Sequence, residues 1–476
     1  AIPKFIQAID DTGANYHVGI ATSDIGADTA PGVLWGGNIS VSHCDSFSGD
    51  DGLLQAMPCT QRTGQSQGAM SACQTLCPND AFVPKGGMNY ISKVDGVTNV
   101  PQSLRLDTMT GKMVDDGPSK AFQCIALVGD AGCGIEGQFE GAKRALDGHR
   151  AENAGFLRSG SVLAVIYITD EDDCSVQLAQ RSQLDPSTKD CDPTQPDSPN
   201  CYNVDYRCLA RSLQCDQTML TAGGKTNCKE RPANFLDPVQ KYHDFLTTLR
   251  PDPQKLLISG IWTKPSILGT GQVQIAAVNP GTGTPALNRA TMTNAACYYQ
   301  NDPTIFGQAQ IRLSEFAALF GTDQKSGMPN ALELSICDID NYPAALDNIA
   351  KALKQKLGAS CVPVVPKLVG GKPNCVVGDV DDSTPTAAPD VQFPVCSNTC
   401  CNAFAASATP NPSDPNIQNA CAGETTDACY CAIKSTAGQC MDQSEGQTGY
   451  VAGVWRKGGG GAPSGKVVNF LCAGGG

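Results

Sequence analysis

Two stretches of this chain are apolar at almost every position: LAVIYI at 163–168 and KLLISGIW at 255–262. Unbroken runs of that length suit strands buried on both faces. Elsewhere the apolar residues recur at helical spacing. Residues 237–250 put Val239, Tyr242, Phe245, Leu246 and Leu249 on one face, with Pro238 placed for a first turn. AQIRLSEFAALFG (309–321) predicts a second helix. A third covers 342–358, where Leu346, Ile349, Leu353 and Leu357 fall in register and Gly358 provides a stop. Ile2, Phe5, Ile6 and Ile9 read as the tail of another helix, followed by strands at 16–24 and 32–38. Between 122 and 149 the pattern predicts a short strand, a glycine-rich loop and a helix. Strand and helix thus alternate up to residue 361. The economical architecture is α/β: a doubly wound, mostly parallel sheet covered on both faces.

The alternation breaks twice, at about 44–119 and 174–232, where Gly, Ser, Thr, Gln, Pro and Cys replace any periodicity. Both read as stapled insertions. Residues 362–374 read as a linker, and 375–476, turn-rich and with hardly any helical pattern, as a small cysteine-rich β domain. A chain of 476 residues exceeds what one compact core usually holds, in keeping with that division.

Composition sharpens the picture through cysteine. There are 24, against four histidines, and few stand in the C-x₂-C pairs of a zinc module. Thiols at this density imply an oxidising compartment, hence an exported protein, extracellular or at the cell surface, whose signal sequence is absent from this chain. Fourteen lie from Cys44 to Cys337 and ten from Cys361 to Cys472, both even, so each part can close its own bridges. Cys124, Cys133, Cys174, Cys297, Cys337, Cys361 and Cys375 are disulfide candidates, with connectivity open. The net charge of −13, with Lys and Arg dispersed, argues against a nucleic-acid partner. No apolar run approaches the roughly 20 residues of a membrane-spanning helix.

Candidate chemistry concentrates at one place. The strand 163–168 runs into Asp170, Glu171, Asp172 and Asp173, and then Cys174. In an open α/β sheet the carboxyl ends of strands are where ligands bind, so a metal, a partner's basic group or plain solvation must account for the crowding. Other motifs carry less. GQSQG (64–68) has the nucleophile-elbow spacing without a strand before it, GGKT (223–226) lacks the earlier glycine of a phosphate loop, and CSNTCC (396–401) reads as bridges rather than zinc.

Several segments together carry a resemblance: YHVGIATSDIG, VGDAGCGIEGQFEGAKRAL, NAGFLRSGSVLAVIYITDEDDCS, YHDFLTTLRPDPQKLLISGIW and LELSICDIDNYPAALDNIAKALKQKLG. In this order they resemble bacterial von Willebrand factor A-like proteins of the cysteine-rich exported type common in myxobacteria and their relatives. The resemblance covers roughly residues 1–361. It implies a metal-ion-dependent adhesion site holding Mg²⁺ or Ca²⁺ at the strand carboxyl ends, with Asp170 matching the family's third-loop Asp. The loop 129–136 stands where the family has a Thr and contains neither Thr nor Ser, leaving Glu136 or Asp130 as substitutes. The family's Asp-x-Ser-x-Ser loop, with its first strand, has no counterpart here and is expected upstream. Loss of that strand would open a slot in the sheet, filled by upstream residues or by a strand from another chain. The expected function is a non-catalytic protein-binding or adhesion module, with Glu171, Asp172 and Asp173 on its contact surface. The alternative is a structural subunit of an extracellular filament or cell-envelope assembly, so the partner is another protein or a second copy.

Overall fold

The computed structural model describes most of the chain. Residues 1–4, 27–48, 107–112, 181–207, 218–222, 264–272, 276–296, 322–329, 338–344, 382–388, 407–414, 435–440, 459–465, 473–476 and a few shorter stretches lie outside the described residues. The elements that frame the candidate site are β1 (Tyr16–Val18), β2 (Ile91–Val94), β3 (Val97–Thr98), α1 (Gly117–Ala126), α2 (Gln138–Leu146), β4 (Leu163–Ile168), α3 (Val239–Leu249), β5 (Leu256–Trp262), α4 (Ile311–Phe320) and β6 (Ala331–Ser335). The protein is a mixed α/β structure built around a parallel three-stranded sheet.

That sheet has the order β6-β5-β4, with Leu256 opposite Leu163 and Ile258 opposite Ala331. Every residue of β5 is buried, because its two faces meet two different helical layers. Leu257 and Ile261 pack with Phe5, Ile6 and Ile9, with Ala121 and Ile125 of α1, and with Leu346, Ile349 and Leu353. Leu256, Ile258 and Trp262 pack with Phe139 of α2, Tyr242 and Leu246 of α3, and Leu313 and Phe316 of α4. Alternation of side chains across a strand produces this division, and each fully buried large side chain contributes about 1.5–3 kcal/mol. Gly260 is required beside Trp262: a Cβ there would lie 2.1 Å from the indole ring. The indole Nε1 donates to Glu333 Oε2 at 3.0 Å, so the largest core side chain leaves no polar atom stranded.

The helices at 237–250 and 309–321 form as their spacing predicts, trimmed to α3 and α4. Within 342–358 the described residues 345–346, 348–350, 352–353 and 356 are helical, as are 5–6 and 9–10 near the amino terminus. The strand expected at 32–38 lies outside the described residues.

Three expectations fail. The segment read as a strand from 122 is the second half of helix α1. Its buried residues Pro118, Ala121, Cys124 and Ile125 follow helical spacing once the count starts at Pro118 in the first turn. The strand at 16–24 shrinks to β1 and pairs antiparallel with β2, Tyr16 facing Lys93, rather than joining the parallel set. β2 in turn lies inside what reads as an insertion. That region is therefore part scaffold, its helix Gln67–Leu76 stapled by Cys59–Cys73 and tied to α1 by Cys77–Cys124.

The carboxyl-terminal part contains β7 (Ser360–Cys361), β8 (Cys375–Asp381), β9 (Val391–Gln392), α5 (Asn398–Ala406), β10 (Ala428–Lys434), β11 (Tyr450–Arg456) and β12 (Lys466–Cys472). They form two antiparallel sheets, β7-β11-β10 and β9-β8-β12. β7 pairs with β11, so Ser360 and Cys361 belong with this part, and a small hairpin, Leu368–Val369 with Lys372–Pro373, occupies the stretch read as a linker. Helix α5 also departs from the all-β expectation. Cys400, Cys401, Phe404 and Ala405 form its buried stripe, a helical pattern visible only when cysteine counts as apolar. The bridges Cys396–Cys429, Cys400–Cys421 and Cys401–Cys431 cross this small core, and Cys375–Cys472 joins β8 to β12. All nine described bridges close within one side of residue 360, and no described cysteine is free.

Candidate functional site

The acidic run leaves the carboxyl end of β4 and turns over the amino ends of two helices. Its four carboxylates have separate fates. Asp173 is 1% exposed. It accepts the Phe139 N–H at the start of α2 at 2.9 Å and the Ser175 hydroxyl at 2.6 Å. Its other oxygen meets the Arg312 guanidinium at 3.1 Å. Arg312 is itself fully buried, pairs with Glu230 and donates to the Asp237 carbonyl at 2.8 Å. Asp172 accepts the Ile311, Arg312 and Leu313 N–H groups at 3.0, 3.1 and 3.3 Å, satisfying the open first turn of α4. Burial nonetheless pushes the Asp172 carboxyl up to about 7, against the pull of those amides and of Arg312.

Two of the three residues expected at a contact surface, Asp172 and Asp173, therefore act as fasteners of helix starts. The helix starts they cap are far away in sequence, so the spacing of the run alone could not reveal this. Gln310 completes the fastening, its Nε2 donating to the Thr169 carbonyl at 3.1 Å and its Oε1 accepting the Thr263 N–H at 2.5 Å.

Asp170 and Glu171 are engaged differently. Asp170 is exposed, and Glu171 is half-buried and accepts from Gln308 Nε2 at 3.0 Å. Glu136 comes alongside from the loop before α2. Its carboxylate accepts from Gln138 Nε2 at 3.0 Å, and desolvation, with Asp170 nearby, pushes it up to about 7. Its backbone ties the loop into place: the carbonyl accepts the Cys174 N–H at 2.7 Å, and the residue bridges to Asp24. Gln138 also donates to the Thr169 hydroxyl at 3.0 Å, while its Oε1 is buried and has no hydrogen-bond partner. Glu136, Asp170, Thr169 and the orphaned Gln138 carbonyl are hard oxygen donors, the type a divalent cation takes. Asp130 does not join them through any described contact. It is exposed and accepts the Ser66 N–H at 2.9 Å, ahead of helix Gln67–Leu76.

A shallow cleft lies beside this loop, lined by Ile135, Glu136, Glu171, Asp172, Asp173, Leu209, Ser212 and Gln308. Its wall includes the Cys174–Cys208 bridge, which holds the second insertion against the acidic loop. Cys133 is also disulfide-bonded, and Cys297–Cys337 braces the segment after β6. The tempting motifs dissolve. Ser66 caps helix Gln67–Leu76 by accepting the Ala69 N–H, and Gly223–Lys225 is a strand paired with Val273–Ile275. The sulfurs that converge around Cys396, Cys400 and Cys401 all sit in disulfides, leaving no thiolate for a metal.

Searches against protein-family models, curated proteins and solved structures find no match to this chain. Among the described residues no helix is long and apolar enough to cross a membrane.

Proposed function

We propose that this protein is an exported, non-catalytic binding module of the von Willebrand factor A-like type, and that it engages a protein partner at the carboxyl rim of its parallel sheet. The observation that carries this reading is the division of labour in the acidic loop. Asp172 and Asp173 lock the loop onto α4 and α2, while Asp170 is exposed and Glu171 lines a shallow cleft whose far wall is a stapled insertion. A rigid scaffold presenting polar side chains between loops is the usual build of a recognition surface. A divalent cation, Mg²⁺ or Ca²⁺, held by Glu136 and Asp170 assists the contact. Nine described bridges support an extracellular or cell-surface setting, since bridges at this density persist in oxidising compartments.

The test is retention of the purified protein on the envelope fraction of its source cells. Wild type should be retained, and the Asp170→Lys/Glu171→Lys variant released, with both giving the same circular dichroism. Equal retention of both proteins removes the rim from the contact.

A second reading, a structural subunit of an extracellular assembly, is favoured by one observation: among the described residues β4 pairs with β5 alone. Its measurement is the native mass: assembly-sized particles favour the subunit, a monodisperse monomer the module.

A further inference from the structure

Six cysteines of the carboxyl-terminal part, Cys396, Cys400, Cys401, Cys421, Cys429 and Cys431, close three bridges that interlock. In chain order Cys401–Cys431 crosses both Cys396–Cys429 and Cys400–Cys421, and the last of these is nested inside Cys396–Cys429. The amino-terminal part is wired differently. None of its described bridges crosses another, and four of them, Cys59–Cys73, Cys77–Cys124, Cys215–Cys228 and Cys297–Cys337, join cysteines that are consecutive in the sequence.

The fold gathers these sulfurs without sorting them. Cys400 and Cys401 sit side by side near the start of α5, with Cys396 just ahead of it. Cys429 and Cys431, two apart on β10, share one face of that strand. The sulfurs of Cys396, Cys401 and Cys431 all lie within 4.8 Å of one another, and so do those of Cys396, Cys400 and Cys429. Cys396 therefore has its native partner and three wrong ones within reach. In the open chain the wrong ones are favoured. Cys396 lies 33 positions from Cys429 but only a helical turn's length of chain from Cys400 and Cys401, and the shorter loop closes on the order of tenfold more often. Once Phe404, Ile417 and Trp455 pack against the cluster, none of the six cysteines is more than 5% exposed. Exchange needs an accessible sulfur, so a wrong bridge made early is sealed in.

We propose that this protein is a substrate of a thiol–disulfide isomerase, which sorts the cysteines between Cys396 and Cys431 before their core closes. Direct oxidation suffices for the amino-terminal bridges between consecutive cysteines, because the first loop to close is the native one. The chemistry balances in two stages. Making each bridge removes two electrons and two protons from a pair of thiols, and a disulfide-bearing oxidant accepts them. Sorting then moves no electrons. The isomerase thiolate attacks one sulfur of a wrong bridge such as Cys396–Cys401, forms a mixed disulfide and releases the other cysteine as a thiolate. That thiolate attacks a further bridge or the mixed disulfide, and the sequence ends when a cysteine of this chain displaces the isomerase. One S–S bond forms for each that breaks. The proposal concerns how the carboxyl-terminal part matures and is independent of the binding role of the acidic rim.

Oxidative refolding of the full chain, reduced in denaturant, tests this in three arms. The first uses diamide, which oxidises thiols and supplies none for exchange. The second uses a glutathione redox buffer, and the third adds a catalytic amount of protein disulfide isomerase to that buffer. Bridges are mapped by mass spectrometry of the unreduced digest, with electron-transfer fragmentation to separate Cys400 from Cys401. The four amino-terminal bridges between consecutive cysteines should form to within about twofold in every arm. The native set Cys396–Cys429, Cys400–Cys421 and Cys401–Cys431 should be at least about tenfold scarcer with diamide, where Cys396 is found bonded to Cys400 or Cys401. Isomerase should speed recovery of that set at least about tenfold over the buffer alone. Diamide giving the native set as fully as the amino-terminal bridges overturns the proposal. So does a rate that isomerase leaves unchanged, or an equal dependence of the amino-terminal bridges on isomerase.

Discussion

Replacing Glu136 by Gln isolates one carboxylate whose folded environment opposes its charge. Its carboxyl is raised from 4.5 to about 7, mainly because it gives up water and secondly because Asp170 lies close. A raised folded pKa means that the native protein holds this proton more tightly than the unfolded chain does. The associated stability is fully present below about pH 4.5 and is lost as pH climbs through about 7. The difference, 7 minus 4.5, sets a ceiling of about 3 kcal/mol at roughly 1.4 kcal/mol for each pKa unit. Glutamine keeps the shape and an oxygen acceptor for the hydroxyl and amide donors around it, but it never ionises. In EDTA, Glu136→Gln should match wild type near pH 4.5 and exceed it by up to about 3 kcal/mol at pH 8. Urea unfolding with disulfides intact, at pH 4.5, 6 and 8, measures this. A variant whose stability follows the wild-type pH curve, or that is the weaker protein at pH 8, would refute the argument. Calcium supplies a second arm: it should raise the wild-type midpoint at pH 8 and leave Glu136→Gln unmoved, because the cation needs the charge the substitution removes.

Other substitutions probe the fastening beneath that site. Arg312→Met strands Asp173 and Glu230 without their cation and should cost about 3–5 kcal/mol, seen as a lower urea midpoint. Asp172→Ala removes the acceptor of three helix N–H groups and should cost about 0.5–2 kcal/mol, with faster amide exchange confined to the first turn of α4. Cys174→Ala with Cys208→Ala opens a bridge spanning 34 residues. It should cost about 2–4 kcal/mol and make the second insertion the earliest site of limited proteolysis.

Much of the scaffold was legible because its signals are local. The apolar runs of β4 and β5, the stripes of α3 and α4, and Pro238 ahead of α3 each follow from side-chain period or backbone geometry within a dozen residues. The resemblance pointed to the loop 129–136 beside Asp170 but left Glu136 and Asp130 as alternatives, and the folded chain puts Glu136 near Asp170. What failed were readings that depended on a starting point or a partner. Helix α1 looked like a strand because the count began at Phe122 instead of Pro118. Helix α5 was hidden because cysteines were read only as bridge formers. Asp172 and Asp173 looked like surface because nothing near them announces the helix starts 35 residues before and 139 residues after that they cap.

By itself, then, the chain's order of residues determined which segments extend and which coil, that the thiols are oxidised, and that acid gathers at one strand end. Those outcomes rest on forces acting between close neighbours or on bulk composition. Folding in three dimensions decided which of four adjacent carboxylates are consumed inside and which remain outside. It also decided that β4 pairs in parallel with β5, and that a stretch read as an insertion contributes β2. Each of these is a pairing across long stretches of chain, where desolvation and hydrogen-bond geometry choose among partners that the local pattern leaves equivalent.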